Sequence, residues 1–159
     1  MKKIASILLL LIVAFSSSCT EDLSKNNPSF QAWRDDALWR SNQSWAEVTD
    51  NGAVRIVGLT AYETVELMTP SINSQGYPLG NSISRRAYYT YARDGVEDIY
   101  STGSSFGEGM IVIEEYDEIN QTLTGRFRFN AEMLPAHEGN PIVNFRDGIF
   151  YKIPVIPAP

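Results

Sequence analysis

The sequence predicts an all-β protein: a single antiparallel β-sandwich or flattened barrel of about nine or ten short strands, after an N-terminal signal peptide. Three observations lead to this prediction. Apolar residues recur at every second position in many segments, which is the period of a strand. Asn-Gly and Asp-Gly dipeptides separate these segments, as they do in hairpins. Beyond the N-terminal apolar run, the chain shows no sustained apolar stripe of helical period.

The N-terminus predicts a lipoprotein. Lys2 and Lys3 precede an apolar run at 4–15, which is too short to cross a bilayer and is typical of a signal peptide. The only cysteine, Cys19, follows three serines, and this segment resembles a bacterial lipobox. We therefore expect a signal peptide at 1–18, a lipid on Cys19 and a polar tether at 19–28. The lipid would anchor the protein to the outer membrane of the cell envelope, facing either the cell surface or the periplasm.

Composition limits the remainder of the chain to one ordinary globular domain. The sequence has 159 residues, of which 43% are hydrophobic, and a formal net charge of −6. A domain of this size buries roughly two thirds of its unfolded surface, so it needs no disulfides. Binding to phosphates requires clustered Lys and Arg, and we therefore expect no nucleic-acid partner.

Strands are predicted most clearly at 122–131. Leu123, Phe127, Phe129 and Ala131 share one face with Gly125, whereas threonines, arginines and an asparagine occupy the other face. This alternation indicates an antiparallel strand with one buried side and one solvated side. Weaker alternation predicts further strands at 54–59, 64–67, 87–91, 110–116 and 142–146.

Turn residues set the expected connections. Asn51-Gly52, Asp94-Gly95 and Asp147-Gly148 predict two-residue hairpins, the last of which would pair Phe145 with Phe150 and Ile142 with Ile153. Turns are also expected at 35–36 and 117–120, and irregular connections at 69–84 and 135–141. Because proline cannot donate to a sheet, the last strand should end near Pro154. The predicted β-domain is thus 29–154, with a Pro-rich tail at 155–159.

Candidate catalytic residues are few. A triad or a zinc site needs histidine, and the sequence has only His137, in a predicted loop. Glu108 and Glu114 share a strand face, but about 20 Å apart, whereas the two acids of a glycosidase lie about 5 to 10 Å apart. We therefore expect no enzyme, no metal site and no cofactor. Calcium binding by the acidic groups at 117–120 or 94–98 stays open.

Aromatic residues give the strongest sign of binding. Three tryptophans recur at six-residue intervals, and Tyr88, Tyr89, Tyr91 and Tyr100 form a second group. Exposed rings stack on sugars or make protein contacts, whereas buried rings would only pack the core. The candidate binding surface consists of Trp33, Trp39, Trp45, Tyr77, Tyr88 and Tyr89.

A set of strand and turn motifs resembles a known family. The motifs are Phe-Gln-Ala at 30–32, Gly-Tyr-Pro-Leu-Gly at 76–80, Thr-Gly-Arg-Phe-Arg-Phe-Asn-Ala at 124–131 and Phe-Arg-Asp-Gly-Ile-Phe at 145–150. Together they resemble small lipoproteins of flavobacteria and their relatives, a domain of unknown function (DUF6252-like). The resemblance implies an all-β lipoprotein of the Bacteroidota cell envelope, and it brings no catalytic residue.

These observations predict a lipid-anchored binding or interaction module, whose partner is a glycan or an envelope protein. Two alternatives stay open. One is an envelope scaffold without a small-molecule site, and the other is a glycan-acting hydrolase that uses paired carboxylates.

Overall fold

Eleven β-strands form most of the computed structural model, which describes residues 29–136, 139 and 141–158. This part of the chain contains no helix, and hence none that could span a membrane. The predicted signal peptide (1–18), Cys19, the tether (19–28) and His137 lie outside the described residues. The all-β prediction is confirmed. The strands are β1 (Ser29–Arg34), β2 (Ala37–Arg40), β3 (Gln43–Val48), β4 (Val54–Leu59), β5 (Glu63–Thr69), β6 (Gly76–Leu79), β7 (Arg86–Arg93), β8 (Val96–Ser101), β9 (Glu108–Asp117), β10 (Thr122–Met133) and β11 (Ile142–Pro157).

All eleven strands belong to one mixed sheet that folds over on itself. Their order is β2-β1-β11-β3-β4-β5-β7-β8-β10-β9-β6, and β10 also pairs with β11. The pairing is antiparallel except where the end of β11 runs parallel to β3. Because β11 also pairs with β10, and β10 with β8, the hydrogen bonding closes into a circuit. One layer therefore contains β6, β9, β10, β11, β1 and β2, and the facing layer contains β3, β4, β5, β7 and β8.

The core between the two layers is rich in aromatic rings. Phe145 of β11 stacks on Phe129 with ring centroids 4.6 Å apart, and it meets Tyr89 of the facing layer at 5.3 Å. Phe30 makes an edge-to-face contact with Trp39 at 5.5 Å. Such pairs add about 0.5 to 1.5 kcal/mol each beyond the burial of their area.

Gly58 of β4 lets the two layers approach each other. A Cβ atom at this position would lie 2.6 Å from Cδ1 of Phe30 and 3.0 Å from Cη2 of Trp39. Any larger residue would therefore push these two rings out of the core. The missing side chain, rather than backbone freedom, is what the packing requires here.

The alternation predicted for 122–131 is confirmed within β10. All five residues of its predicted inner face are buried, whereas Arg126 and Arg128 between them are exposed. Gly125 is required at its position, because a Cβ atom there would overlap the carbonyl oxygen of Val112 and the ring of Phe150. The buried residues of this face are Leu123, Gly125, Phe127, Phe129 and Ala131.

The predicted hairpin at Asp147-Gly148 is wrong. Strand β11 continues through these residues, and the register shifts there against both β1 and β10, which identifies a β-bulge. A type I′ turn needs positive φ at both central residues, and here only Asp147 has it, at 52°. Phe145 therefore pairs with Phe129 instead of Phe150. A continuous central strand gains ladder hydrogen bonds on both edges, which a hairpin would lose.

The other predicted turns lie between strands. Asp94-Gly95 forms the expected two-residue hairpin, with φ of 53° and 82°. The two-residue hairpin predicted at Asn51-Gly52 is wrong, because this dipeptide lies in a longer connection between the paired Val48 and Val54. The turns at 35–36 and 117–120 connect β1 to β2 and β9 to β10.

Two predicted irregular segments contain strand. The connection at 69–84 includes β6, which pairs with β9. The chain does not leave the sheet near Pro154, because 155–157 continue as β11 alongside β3. Pro154 lies between the residues of β11 that pair with β1 and those that pair with β3, so its missing N–H is tolerated at this junction.

Candidate functional site

The aromatic residues predicted as a binding surface do not form one. Trp39, Tyr77 and Tyr89 are only 3%, 2% and 5% exposed, so their prediction as surface residues is corrected. Trp39 packs between Phe30 and Phe145 in the core. The Tyr77 hydroxyl bonds to the backbone of the connection before β6, where it donates to a carbonyl oxygen.

The remaining three candidates lie on opposite outer faces. Trp33 is 40% exposed on β1, where the guanidinium of Arg146 lies 5.5 Å from its ring centroid. Trp45 and Tyr88 are half-buried in the facing layer. The strand register places them on one row, through Val57 and Glu66 of the two strands between them.

An ion network occupies the outer face next to Trp45. Arg55 donates from Nε and Nη2 to the two carboxylate oxygens of Glu66, at 2.9 and 2.8 Å, and from Nη1 to Glu47 at 3.1 Å. The indole Nε1 of Trp45 donates to Oε1 of Glu47 at 2.8 Å. The hydrogen bond from Trp45, followed by Arg55, lowers the pKa of Glu47, while burial opposes this shift.

We predict that Trp45→Phe reduces the loss of stability in acid. Because the pKa of Glu47 is lower in the folded than in the unfolded state, its contribution is complete above the unfolded pKa, near 4.5, and is lost as pH falls through the folded value. Removing the indole donor raises the folded pKa and shrinks this contribution. The free energy of unfolding, measured in urea from about pH 6 to pH 3, should then change less with pH. A pH dependence equal to that of the wild type would contradict this, and Trp33→Phe is the matched control.

A second group of polar side chains converges at one end of the sandwich. Tyr89 and Tyr91 are two residues apart on β7, so both point to the interior. The register places Tyr100 opposite Tyr89, and it places Asp98 and Glu63 on the two sides of Tyr91. Neighbouring strands thus bring three phenols and two carboxylates to the end where β1 finishes and β11 begins.

Arg34, Tyr89 and Glu63 form a bonded triad at this end. Nη1 of Arg34 donates to the Tyr89 hydroxyl at 2.7 Å, and this hydroxyl donates to Oε1 of Glu63 at 2.6 Å. Arg34 also forms an ion pair with Glu63, and its guanidinium lies 5.6 Å from the centroid of the Tyr89 ring. The triad bridges the two layers, because Arg34 belongs to β1 and the other two residues belong to the facing layer.

A cavity of about 400 Å³ opens above this triad, and we call it the mouth cavity. Its volume lies within the range of small-molecule sites, which is about 300 to 1,000 Å³. Apolar residues of β11 supply one wall, and phenols, carboxylates and Arg34 supply the others. The lining residues are Arg34, Asp35, Tyr89, Tyr91, Asp98, Tyr100, Ile142 and Val143.

Two tyrosines of the mouth cavity, Tyr89 and Tyr100, are held in their neutral form. Burial, followed by the charges of Asp98 and Asp35, raises the pKa of Tyr100. Burial also raises the pKa of Tyr89, against the opposing effect of Arg34. Neutral phenols both donate and accept hydrogen bonds, so the cavity offers donors, acceptors and aromatic faces together.

The sequence predicted an aromatic group that includes Tyr89, Tyr91 and Tyr100, but not that these residues line a cavity with Arg34 and Asp98. Arg34, Glu63 and Asp98 come from three strands that are distant in sequence, and no motif connects them. The sequence did contain one signal of the site. Residues two apart on a strand share a face, so Tyr89 lies on the same face of its strand as Tyr91, and Asp98 lies on the same face as Tyr100.

The two acids considered for glycan hydrolysis do not face each other. Glu108 accepts a hydrogen bond from Nδ2 of Asn130 at 2.9 Å, whereas Glu114 accepts one from Nε of Arg126 at 2.5 Å. Six residues of strand separate them, about 20 Å, which is too far for paired carboxylates.

The predicted calcium groups lie in different surroundings. Asp117 caps its own turn by accepting hydrogen bonds from the backbone of Ile119 and Asn120, and the Asn120 side chain is the largest cause that lowers its pKa. Asp98 faces the mouth cavity. In the described part of the chain, no three His, Cys, Asp or Glu side chains are grouped so that they could hold a metal ion.

The fold and this site define a small all-β domain with a polar, tyrosine-lined cavity at one end of a closed, two-layered sheet. The chain belongs to the family described as Domain of unknown function (DUF6252), whose model matches residues 26–154. No curated protein and no solved structure matches the chain.

Proposed function

We propose that this protein is a binding module that takes a small hydroxylated ligand, such as a sugar, into the mouth cavity. In this proposal a lipid on Cys19 anchors the domain to the outer membrane of the cell envelope. The domain binds its ligand without chemical conversion and without a cofactor.

The observation that carries the proposal is the convergence of three tyrosines with Arg34 and Asp98 around one cavity. Sugars present apolar C–H faces that stack on aromatic rings, and hydroxyl groups that pair with carboxylates and phenols. The Arg34–Tyr89–Glu63 triad holds the floor of the cavity in place before a ligand arrives. Such preorganisation lowers the entropic cost of binding.

We predict that Tyr100→Ala weakens sugar binding by about tenfold, since losing a stacked ring costs on the order of 1 kcal/mol. The full chain in detergent micelles is examined by saturation-transfer NMR with glucose, galactose, mannose, N-acetylglucosamine and glucosamine. Tyr88→Ala is the matched control, because Tyr88 is next to Tyr89 on β7 but points to the outer face, away from the cavity. Absence of a signal from every sugar would overturn the proposal, as would signals that Tyr100→Ala leaves unchanged.

A contact with an envelope protein is the second candidate function, and the outer face of β1 and β2 favours it. Trp33 lies opposite Leu38 in the register, and these side chains are 40% and 59% exposed. Arg146 covers part of the Trp33 ring. Tryptophan and arginine are enriched among the residues that dominate binding energy in interfaces. Crosslinking in cells that is lost in Trp33→Ala, but retained in Tyr100→Ala, would support this role over the cavity.

A further inference from the structure

The charges around the mouth cavity do not balance. Arg34 is the one cation among the lining residues, and Glu63 and Tyr89 already bind its guanidinium. Asp35 and Asp98 also line the cavity. With Arg34 and Glu63 cancelling each other, two carboxylates remain without a countercharge inside the cavity.

Asp98 is the more available of these two carboxylates. The Asp35 side chain accepts a hydrogen bond from the backbone N–H of Asn144 at 3.1 Å. Asp98 is half-buried, and within the described residues it has no hydrogen-bond or ion-pair partner. A partly desolvated carboxylate without a partner attracts a cationic group more strongly than one in water.

Aromatic faces supply a second, independent attraction for a cation. The Tyr89 ring already carries a guanidinium over its face, that of Arg34. The ring of Tyr100 lies 5.8 Å from that of Tyr89, and Tyr91 continues the row on the same strand face. Tyrosine rings attract ammonium groups through their negative faces.

We propose that the ligand of the mouth cavity carries a positively charged amino group, which Asp98 pairs with beside the rings of Tyr91 and Tyr100. This rests on the proposed function, because it names the chemical class of the ligand at the same cavity. Among hydroxylated ligands, it selects amino sugars over neutral sugars.

The test compares glucosamine with glucose and N-acetylglucosamine, which share the ring but lack the charge. The full chain in micelles is titrated by calorimetry near pH 6.5, where the glucosamine amine is largely protonated. We expect glucosamine to bind about tenfold more tightly than glucose, with a preference that weakens in high salt. Asp98→Asn keeps the size of the side chain and removes its charge, so it should abolish the preference. Glu97→Gln is the matched control, because this neighbouring carboxylate points to the opposite face of β8.

Each result separates this inference from the proposed function. If glucose binds as tightly as glucosamine, the inference is overturned and the proposed function stands. Propylammonium, an ammonium ion without a sugar ring, is titrated as a further probe. If it binds as tightly as glucosamine while glucose does not bind, the cationic preference stands and the sugar proposal fails. If none of these probes binds, both fail. Loss of the preference in Glu97→Gln as well as in Asp98→Asn would overturn the assignment to Asp98.

Discussion

Phe145→Ala is expected to destabilise the fold by about 3 to 5 kcal/mol, which is the usual cost of removing a buried phenylalanine. The side chain is fully buried, and its ring contacts those of Trp39, Tyr89, Phe127 and Phe129 across both layers. The resulting cavity would lie where the two layers meet, and no neighbouring strand could close it without moving. Urea unfolding, followed by tryptophan fluorescence, measures the loss.

Ile119→Ala is the control for this prediction. Ile119 is 94% exposed in the turn between β9 and β10, and its truncation should change the free energy of unfolding by less than about 0.5 kcal/mol. Because Phe145 also supports the Tyr89 ring, its truncation should loosen the floor of the mouth cavity. A loss below about 1 kcal/mol in Phe145→Ala would contradict the central position given to this ring.

Cys19→Ala is expected to abolish lipid attachment completely. In the proposed lipoprotein, the thiol sulfur is the atom that receives the lipid, and alanine offers no substitute. Each buried CH₂ of an acyl chain contributes about 0.8 kcal/mol, so at least two chains make the anchor durable and their loss removes it. Metabolic labelling with a palmitate analogue, followed by recovery of the protein through a C-terminal tag, measures the attachment.

Ser18→Ala is the matched control, because it keeps a small residue directly before the cysteine. Label should persist in this variant and vanish in Cys19→Ala. Equal labelling of Cys19→Ala would refute the lipoprotein proposal. Protease treatment of intact cells then distinguishes the two orientations, since only a domain on the cell surface loses its tag.

The strand architecture could be predicted where one face of a strand is buried and the other is solvated. In β10, alternation alone identified all five inward positions, because a period of two is imposed by the strand itself. The Asp94-Gly95 hairpin could also be predicted from local sequence, since a two-residue turn of this kind needs two residues that accept positive φ.

The same local signal failed at Asp147-Gly148, where neighbouring strands decide the outcome. The dipeptide fits a hairpin or a bulge, and pairing with β1 on one edge and β10 on the other favours the continuous strand. Likewise, 155–157 remain in the sheet because β3 lies alongside them, which no feature of the Pro-rich segment reveals.

Local sequence was enough to predict the all-β class and the inward face of β10, and to find a lone cysteine behind an apolar run, because each depends on residues close together in the chain. Which aromatic rings are buried depends instead on long-range packing, since Trp39 and Trp33 differ only in what packs on them. The mouth cavity also depends on long-range packing. Arg34, Tyr89 and Asp98 come together only because strands that are distant in sequence pair with each other or lie in facing layers.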